Sequence, residues 1–88
     1  IAYHLDFTDK AKEDIATHKK SGNKTILNKI FVLSEELAEH PFTGTGKPEQ
    51  LKYNLSGLWS RRINKEHRLI YEVENNVIII LSAFGHYL

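Results

Sequence analysis

The 88-residue chain has neither cysteine nor methionine. Without thiols it has no disulfides, no thiolate nucleophile and no cysteine-based zinc site, so any catalysis must come from His, carboxylate, Lys, Arg, Tyr or Ser. The missing initiator Met gives the expectation that at least one residue precedes Ile1 in the full protein. Long hydrophobic runs are also missing. The longest aliphatic run, residues 77–81, is far too short to cross a bilayer. The N-terminus lacks a basic region followed by an apolar core. The expected location is therefore the cytoplasm, with no membrane association. With 41% hydrophobic and 26% charged residues, the composition is that of an ordinary globular protein rather than a disordered tail. The length leads to the expectation of one domain over residues 1–88.

The formal net charge is only +1, yet it is unevenly spread. Residues 41–71 hold Lys47, Lys52, Arg61, Arg62, Lys65 and Arg68 against Glu49 and Glu66, an excess of four positive charges. Both flanks are slightly negative. A basic centre with Tyr53, Trp59 and Tyr71 interleaved suits a ligand with phosphates to neutralise and bases to stack. The plainer reading is a solvated face of ordinary Lys and Arg.

The order of elements follows from periodicity. Ile1, Tyr3, Leu5 and Phe7 alternate with polar partners, which predicts a strand burying one face and leaving His4 exposed. Thr8 is placed to cap a helix running to about Lys20, with a thin apolar stripe of Ala11, Ile15 and Ala16. His18 is expected in solvent on that helix. After Ser21-Gly22-Asn23, the spacing of Ile26, Leu27, Ile30, Phe31, Leu33, Leu37 and Ala38 predicts a longer helix, ended by His40-Pro41. Residues 42–47, FTGTGK, form a loop that lacks the glycine spacing and the Lys-Ser/Thr of a nucleotide-binding loop. Residues 51–55 and 58–63 read as strands around Ser56-Gly57. Residues 68–74 and 77–84 read as two more around Asn75-Asn76. The fold class is α+β: an N-terminal strand, two helices, then a three- to four-stranded antiparallel sheet with the helices on one face.

The other face of the sheet is then free for the polar side chains of the basic centre. A two-residue turn at Asn75-Asn76 would set Arg68 opposite Ala83, close to His86 near the C-terminus. Whether Arg61 or Arg62 shares the face of Arg68 depends on a one-residue register across residues 64–67. Glu49, in the loop before these strands, can approach the same place. A carboxylate, an imidazole and guanidinium groups, with no metal-ligand cluster, suit RNA cleavage by the 2'-hydroxyl. One group takes the 2'-OH proton, one protonates the leaving 5'-oxygen, and cations meet the charge on the phosphoryl oxygens. Each residue has a plainer reading too. Glu49 and Glu66 can pair with neighbouring cations, Arg68 with Glu72 or Glu66, and Trp59 can anchor a core.

At these positions the sequence resembles a known family. Lys47-Pro48-Glu49, Leu51-Lys52, Asn54-Leu55-Ser56-Gly57, Trp59-Ser60-Arg61-Arg62-Ile63, Glu66-His67-Arg68-Leu69, Tyr71 and the terminal His86-Tyr87 are similar to the Txe/YoeB toxins of the RelE superfamily. The likeness is dense over residues 41–71, and the order of elements agrees over nearly the whole chain. It implies a RelE-like fold and a bacterial type II toxin that enters the ribosomal A site and cuts the mRNA there. The reaction would use no metal or other cofactor and leave a 2',3'-cyclic phosphate and a 5'-hydroxyl. By motif position Glu49 would be the general base, Arg68 the transition-state stabiliser and His86 the general acid. Lys52 and Arg62 would add charge around the phosphate, and Tyr87 would position the nucleotide. Lys47 and Arg61 are read with them as RNA-binding. The implied partners are mRNA, the ribosome and a cognate antitoxin covering the C-terminal His-Tyr, with homodimers also formed in the family. Two positions depart from the pattern: Gln50 stands in place of Pro, and Leu88 follows Tyr87. The alternatives are a non-catalytic RNA- or ribosome-binding inhibitor of translation and a subunit that binds an acidic protein. The joint presence of Glu49, Arg68 and His86 favours the nuclease, because a pure binder needs no acid–base pair.

Overall fold

The computed structural model describes residues 2–86. Strand β1 (His4–Phe7) leads into α1 (Asp9–Lys20) and α2 (Lys24–Glu39), followed by β2 (Glu49–Gln50), β3 (Trp59–Arg62), β4 (Arg68–Glu74) and β5 (Val77–Ser82). The five strands form one sheet in the order β1-β5-β4-β3-β2. Strands β2 to β5 are antiparallel neighbours, while β1 joins the edge parallel to β5.

Local sequence explains most of these boundaries. The Thr8 hydroxyl accepts from Ala11 N–H at 3.1 Å, satisfying one of the free donors at the start of α1. It also donates to Leu81 O at 3.1 Å, so the cap ties the helix to β5. Asn23 caps α2 through Ile26 N–H at 3.2 Å. Asn75 takes φ 54° in the turn between β4 and β5, a conformation Asn tolerates better than most residues.

Helices and sheet meet along one face. Ala11, Ile26, Ile30, Leu33 and Leu37 pack with Ile63, Leu69, Tyr71, Ile78 and Ile80, and Leu5, Phe7 and Trp59 close the margins. Period two along the strands and 3.6 along the helices place these residues on facing surfaces. Truncating a fully buried member such as Leu33 would cost about 2–5 kcal/mol. Phe31, expected in the buried face of α2, is 61% exposed instead. Its neighbour Ile30 takes the inward position.

Three more details depart from the sequence reading. Residues 51–55 are not a strand: Leu51 is buried and Tyr53–Leu55 form a single 3-10 turn. Tyr53 has φ 58°, which breaks the extended conformation. The β4–β5 ladder shifts between Ile70 and Tyr71, bringing Ser82 rather than Leu81 opposite Ile70. Arg68 therefore does not face Ala83; its N–H donates to Gly85 O at 2.7 Å. His18 is buried, not solvated, and bonds Ala83 O through Nε2 at 2.8 Å. No helix among the described residues is long and apolar enough to cross a membrane.

Candidate functional site

The register settles which arginine stands beside Arg68. Arg62 and Arg68 are direct cross-strand partners, and Arg61 pairs with Leu69 one position along. Because side chains alternate faces, Arg62 and Arg68 share the face away from the helices, while Arg61 points towards them.

Arg61 is fully buried and saturated with partners. Its Nη1 donates to Glu36 Oε1 at 2.7 Å and to Thr45 O at 3.3 Å. Its Nη2 donates to Thr43 O at 2.8 Å and to His40 O, and its Nε reaches the Tyr71 hydroxyl at 3.3 Å. Tyr71 in turn donates to Pro41 O at 2.7 Å. This corrects two expectations. Arg61 lashes residues 40–45 to the sheet and offers RNA no donor, and Tyr71 is a core residue rather than a stacking surface. Burial pushes the Glu36 carboxyl up, but hydrogen bonds from the Thr45 backbone and side chain, then the bond and charge of Arg61, outweigh it and hold it below 4.5. Burial raises the Tyr71 hydroxyl, and the Arg61 bond and charge offset only part of that rise.

The lashed loop delivers Glu49. Gly44 has φ 118°, and a Cβ there would overlap the Glu36 carboxylate, so glycine is required. Arg62 N–H donates to Gly46 O at 2.7 Å, which brings Lys47 alongside Arg62. Lys47 and Tyr53 both hold positive φ, 52° and 58°. For residues with a Cβ this costs about 1 kcal/mol each, a strain that clusters at functional sites. A hollow of about 300 Å³ is lined by residues 49–55, among them Glu49, Lys52 and the 90% exposed Tyr53.

Glu49 pairs with Ser60, two positions along β3 from Arg62, about 7 Å of strand rise. The same parity puts Glu49, Ser60, Arg62, Arg68 and Ile70 on the face away from the helices, where Ser60 and Ile70 are buried and Glu49 and Arg62 are exposed. The ion pairs among the described residues are Lys10–Asp14 and Arg61–Glu36, so neither Glu49 nor Arg68 is held in one. Arg68 Nη1 donates to Asn64 O at 2.7 Å, with longer contacts to His67 O and Lys65 O. Trp59 follows its plainer reading, half-buried against the core with its ring 4.9 Å from Phe42.

The chain reaches His86 through a clamped turn. Gly85 N–H donates to His67 Nδ1 at 3.0 Å and Gly85 O accepts from Arg68 N–H. Ala83 N–H donates to Asp14 Oδ2 at 2.9 Å, and Ala83 O is held by His18. His86 is exposed, immediately after the residue bonded to the Arg68 backbone. Tyr87, read as nucleotide-positioning, lies outside the described residues.

Arg62 and Arg68 are thus side by side, Glu49 lies on the strand next to that of Arg62, and the His86 segment follows the residue bonded to the Arg68 backbone. The far corner of the same face is acidic: Asp6, Ile79 and Glu72 lie in register, and Glu74 lies beside Val77. Reasoning from sequence missed His18, His67 and the Glu36–Arg61 pair. The signal for His18 was its place in the series Ala11, Ile15, His18, one helical face. For His67 it was alternation with the inward Leu69 and Tyr71.

Residues 7–87 match the family described as the YoeB-like toxin of bacterial type II toxin-antitoxin systems. Among curated proteins, Toxin YoeB of Synechocystis is 44% identical over 83 residues, 94% of this chain and 95% of that protein. The structure of the YoeB dimer from Staphylococcus aureus superposes with a TM-score of 0.86 at 40% identity, covering 99% of this chain and 100% of that one. The YoeB–YefM complex from the same organism gives 0.84 at 41% identity, with the same coverage.

Proposed function

From its membership of the YoeB-like toxins of bacterial type II toxin-antitoxin systems, we propose that this chain is an mRNA endoribonuclease working on ribosome-engaged message. The observation that carries the reading is the Arg62–Arg68 cross-strand pair on the open face, with Glu49 on the adjoining strand and the His86 segment bonded to the Arg68 backbone.

Glu49 takes the 2'-OH proton, and the 2'-oxygen attacks the phosphorus. The bond from phosphorus to the 5'-oxygen breaks as His86 delivers a proton to that oxygen. The products are a 2',3'-cyclic phosphate and a 5'-hydroxyl, so the proton count balances between base and acid. Arg68 stabilises the charge on the phosphoryl oxygens as it builds, using a planar fork suited to two of them. Arg62, Lys47 and Lys52 neutralise neighbouring phosphates, and Tyr87 orients the nucleotide. The acidic corner at Asp6, Glu72 and Glu74 repels the backbone and steers RNA to the basic end.

A relative has been crystallised with the antitoxin YefM and as a dimer. A cognate antitoxin that covers the basic end and the His86 segment is the expected regulator, and a homodimer the expected free form. Primer extension on a translated mRNA tests the function, run with ribosomes and EDTA and again without ribosomes. A discrete cut confined to ribosome-engaged message supports it. Stalling on intact message would replace it with a non-cutting ribosome binder.

A further inference from the structure

His67 and His18 lie beneath the segment that carries His86, and neither has a part in the reaction above. Their rings meet edge-on with centroids 4.6 Å apart, and Phe84 packs 4.6 Å from His67 and 5.1 Å from His18. Backbone partners fix both tautomers. The Ala83 carbonyl can only accept, so His18 carries its proton on Nε2. The Gly85 N–H can only donate, so His67 Nδ1 is bare. His67 is itself anchored, its own N–H donating to Asn64 Oδ1 at 2.8 Å. Consecutive residues therefore grip both polar groups of Gly85, His67 the N–H and Arg68 the C=O. Gly85 has φ 79°, so the chain turns sharply there before His86.

We propose that His67, as a neutral imidazole accepting from the Gly85 N–H, is a positioning residue that sets His86 against Arg68. The inference rests on the nuclease reading of His86. A proton on Nδ1 would set donor against donor and release Gly85. The surroundings keep that proton off. Burial holds the His67 imidazole below 6.5, His18 and His86 lower it further, and Glu66 opposes them. Asp14, bonded to Ala83 N–H and paired with Lys10, and Arg68 also stand around the segment. His67 and His86 thus have opposite requirements: His67 must be bare at Nδ1 while His86 must carry a proton to deliver. Charge on His86 disfavours charge on His67, which suits the requirement on His67.

The test uses the full chain and two substitutions. His67→Phe keeps a ring against His18 and Phe84 but removes the acceptor. His67→Asn supplies an amide oxygen near the place of Nδ1. On ribosome-engaged mRNA, His67→Phe is expected to lose about 100-fold in kcat with little change in KM, the scale of a small misplacement of a reacting group. His67→Asn is expected to recover most of the rate and to lose the part of the acidic limb that comes from protonating His67. Imidazole nitrogen NMR of the wild type should show His67 protonated on Nε2, and Gly85 amide exchange should quicken in His67→Phe. Wild-type kcat in His67→Phe, or a neutral His67 with its proton on Nδ1, overturns the proposal. If the wild type leaves mRNA intact, the nuclease reading fails separately. Gly85 exchange then decides the clamp: equal exchange in wild type and His67→Phe overturns it, and faster exchange sustains it. If His67→Phe does not fold, the wild-type tautomer and the His67→Asn pH profile decide in the same way.

Discussion

Arg61 and Glu36 join β3 to α2 through a 2.7 Å ion pair in which the arginine is fully buried and the glutamate side chain keeps 24% of its exposure. Around them the carbonyls of His40, Thr43 and Thr45 and the Tyr71 hydroxyl use the remaining guanidinium donors. One residue away, Arg62 stands on the opposite face. Adjacent arginines therefore differ in place: Arg61 is built into the loop that leads to Glu49, and Arg62 is exposed on the face away from the helices.

Arg61→Met should destabilise the fold by about 3–5 kcal/mol, because it strands a carboxylate and several carbonyls built around a buried cation. Arg61→Lys should recover only part of this, since an ammonium has three donors and no planar fork. Urea unfolding of the three proteins checks both. Equal midpoints would show that the network contributes nothing to stability.

Glu36 gives a pH dependence of defined sign. Its carboxyl is held below 4.5 in the folded chain, so the unfolded chain takes up the proton first as pH falls. The stability it contributes is complete above the ordinary carboxylate value and is lost as pH drops from 4.5 through the lower folded value. Glu36→Gln should be less stable than wild type at neutral pH and should lose less stability on acidification. Unfolding midpoints measured between about pH 3 and 6 read the slope.

Arg68→Ala and Arg62→Ala should leave the fold intact and separate two roles. Removing Arg68 should cost about 100-fold or more in kcat, the usual scale for a donor that meets developing charge. Removing Arg62 should mainly weaken ribosome binding and lower its salt slope by about 1. Titrations at several salt concentrations, alongside single-turnover cleavage, distinguish them. Equal effects on rate and affinity in both variants would contradict the division.

Gly44→Ala places a methyl group where the Glu36 carboxylate sits, at a φ of 118°. The expected loss is about 2 kcal/mol, from overpacking against the ion pair. Because the loop feeds Glu49, activity should fall with stability. A thermal shift assay with parallel cleavage measurements checks this.

Much of the fold was legible because it rests on local rules. The Thr8 cap, the apolar spacing of α2 apart from the exposed Phe31, and the Asn75 turn stand where pattern and backbone chemistry put them. Less was legible where one residue of register decides the outcome. The face of Arg61 could not be read across residues 64–67, and the ladder shift beside Ile70 cannot be read from spacing. Residues 51–55 alternate like a strand, yet Leu51 turns inward and Tyr53 adopts positive φ, so tertiary packing overrides the pattern. In the site, Glu49, Arg68 and His86 were singled out by chemical type. The clamp on Gly85 was not, because it joins the backbone groups of Gly85 to the His67 ring and the Arg68 N–H, a pairing that depends on the shifted ladder.

In the proposed reaction His86 delivers the proton that releases the 5'-oxygen. Single-turnover cleavage of ribosome-bound mRNA by wild type and His86→Gln, with analysis of the RNA ends, tests it most directly. Wild type should leave a 2',3'-cyclic phosphate and a 5'-hydroxyl. His86→Gln should lose about 100-fold or more in rate, at nearly unchanged ribosome affinity. Wild-type cleavage rates in His86→Gln, or a 5'-phosphate on the downstream product, would contradict it.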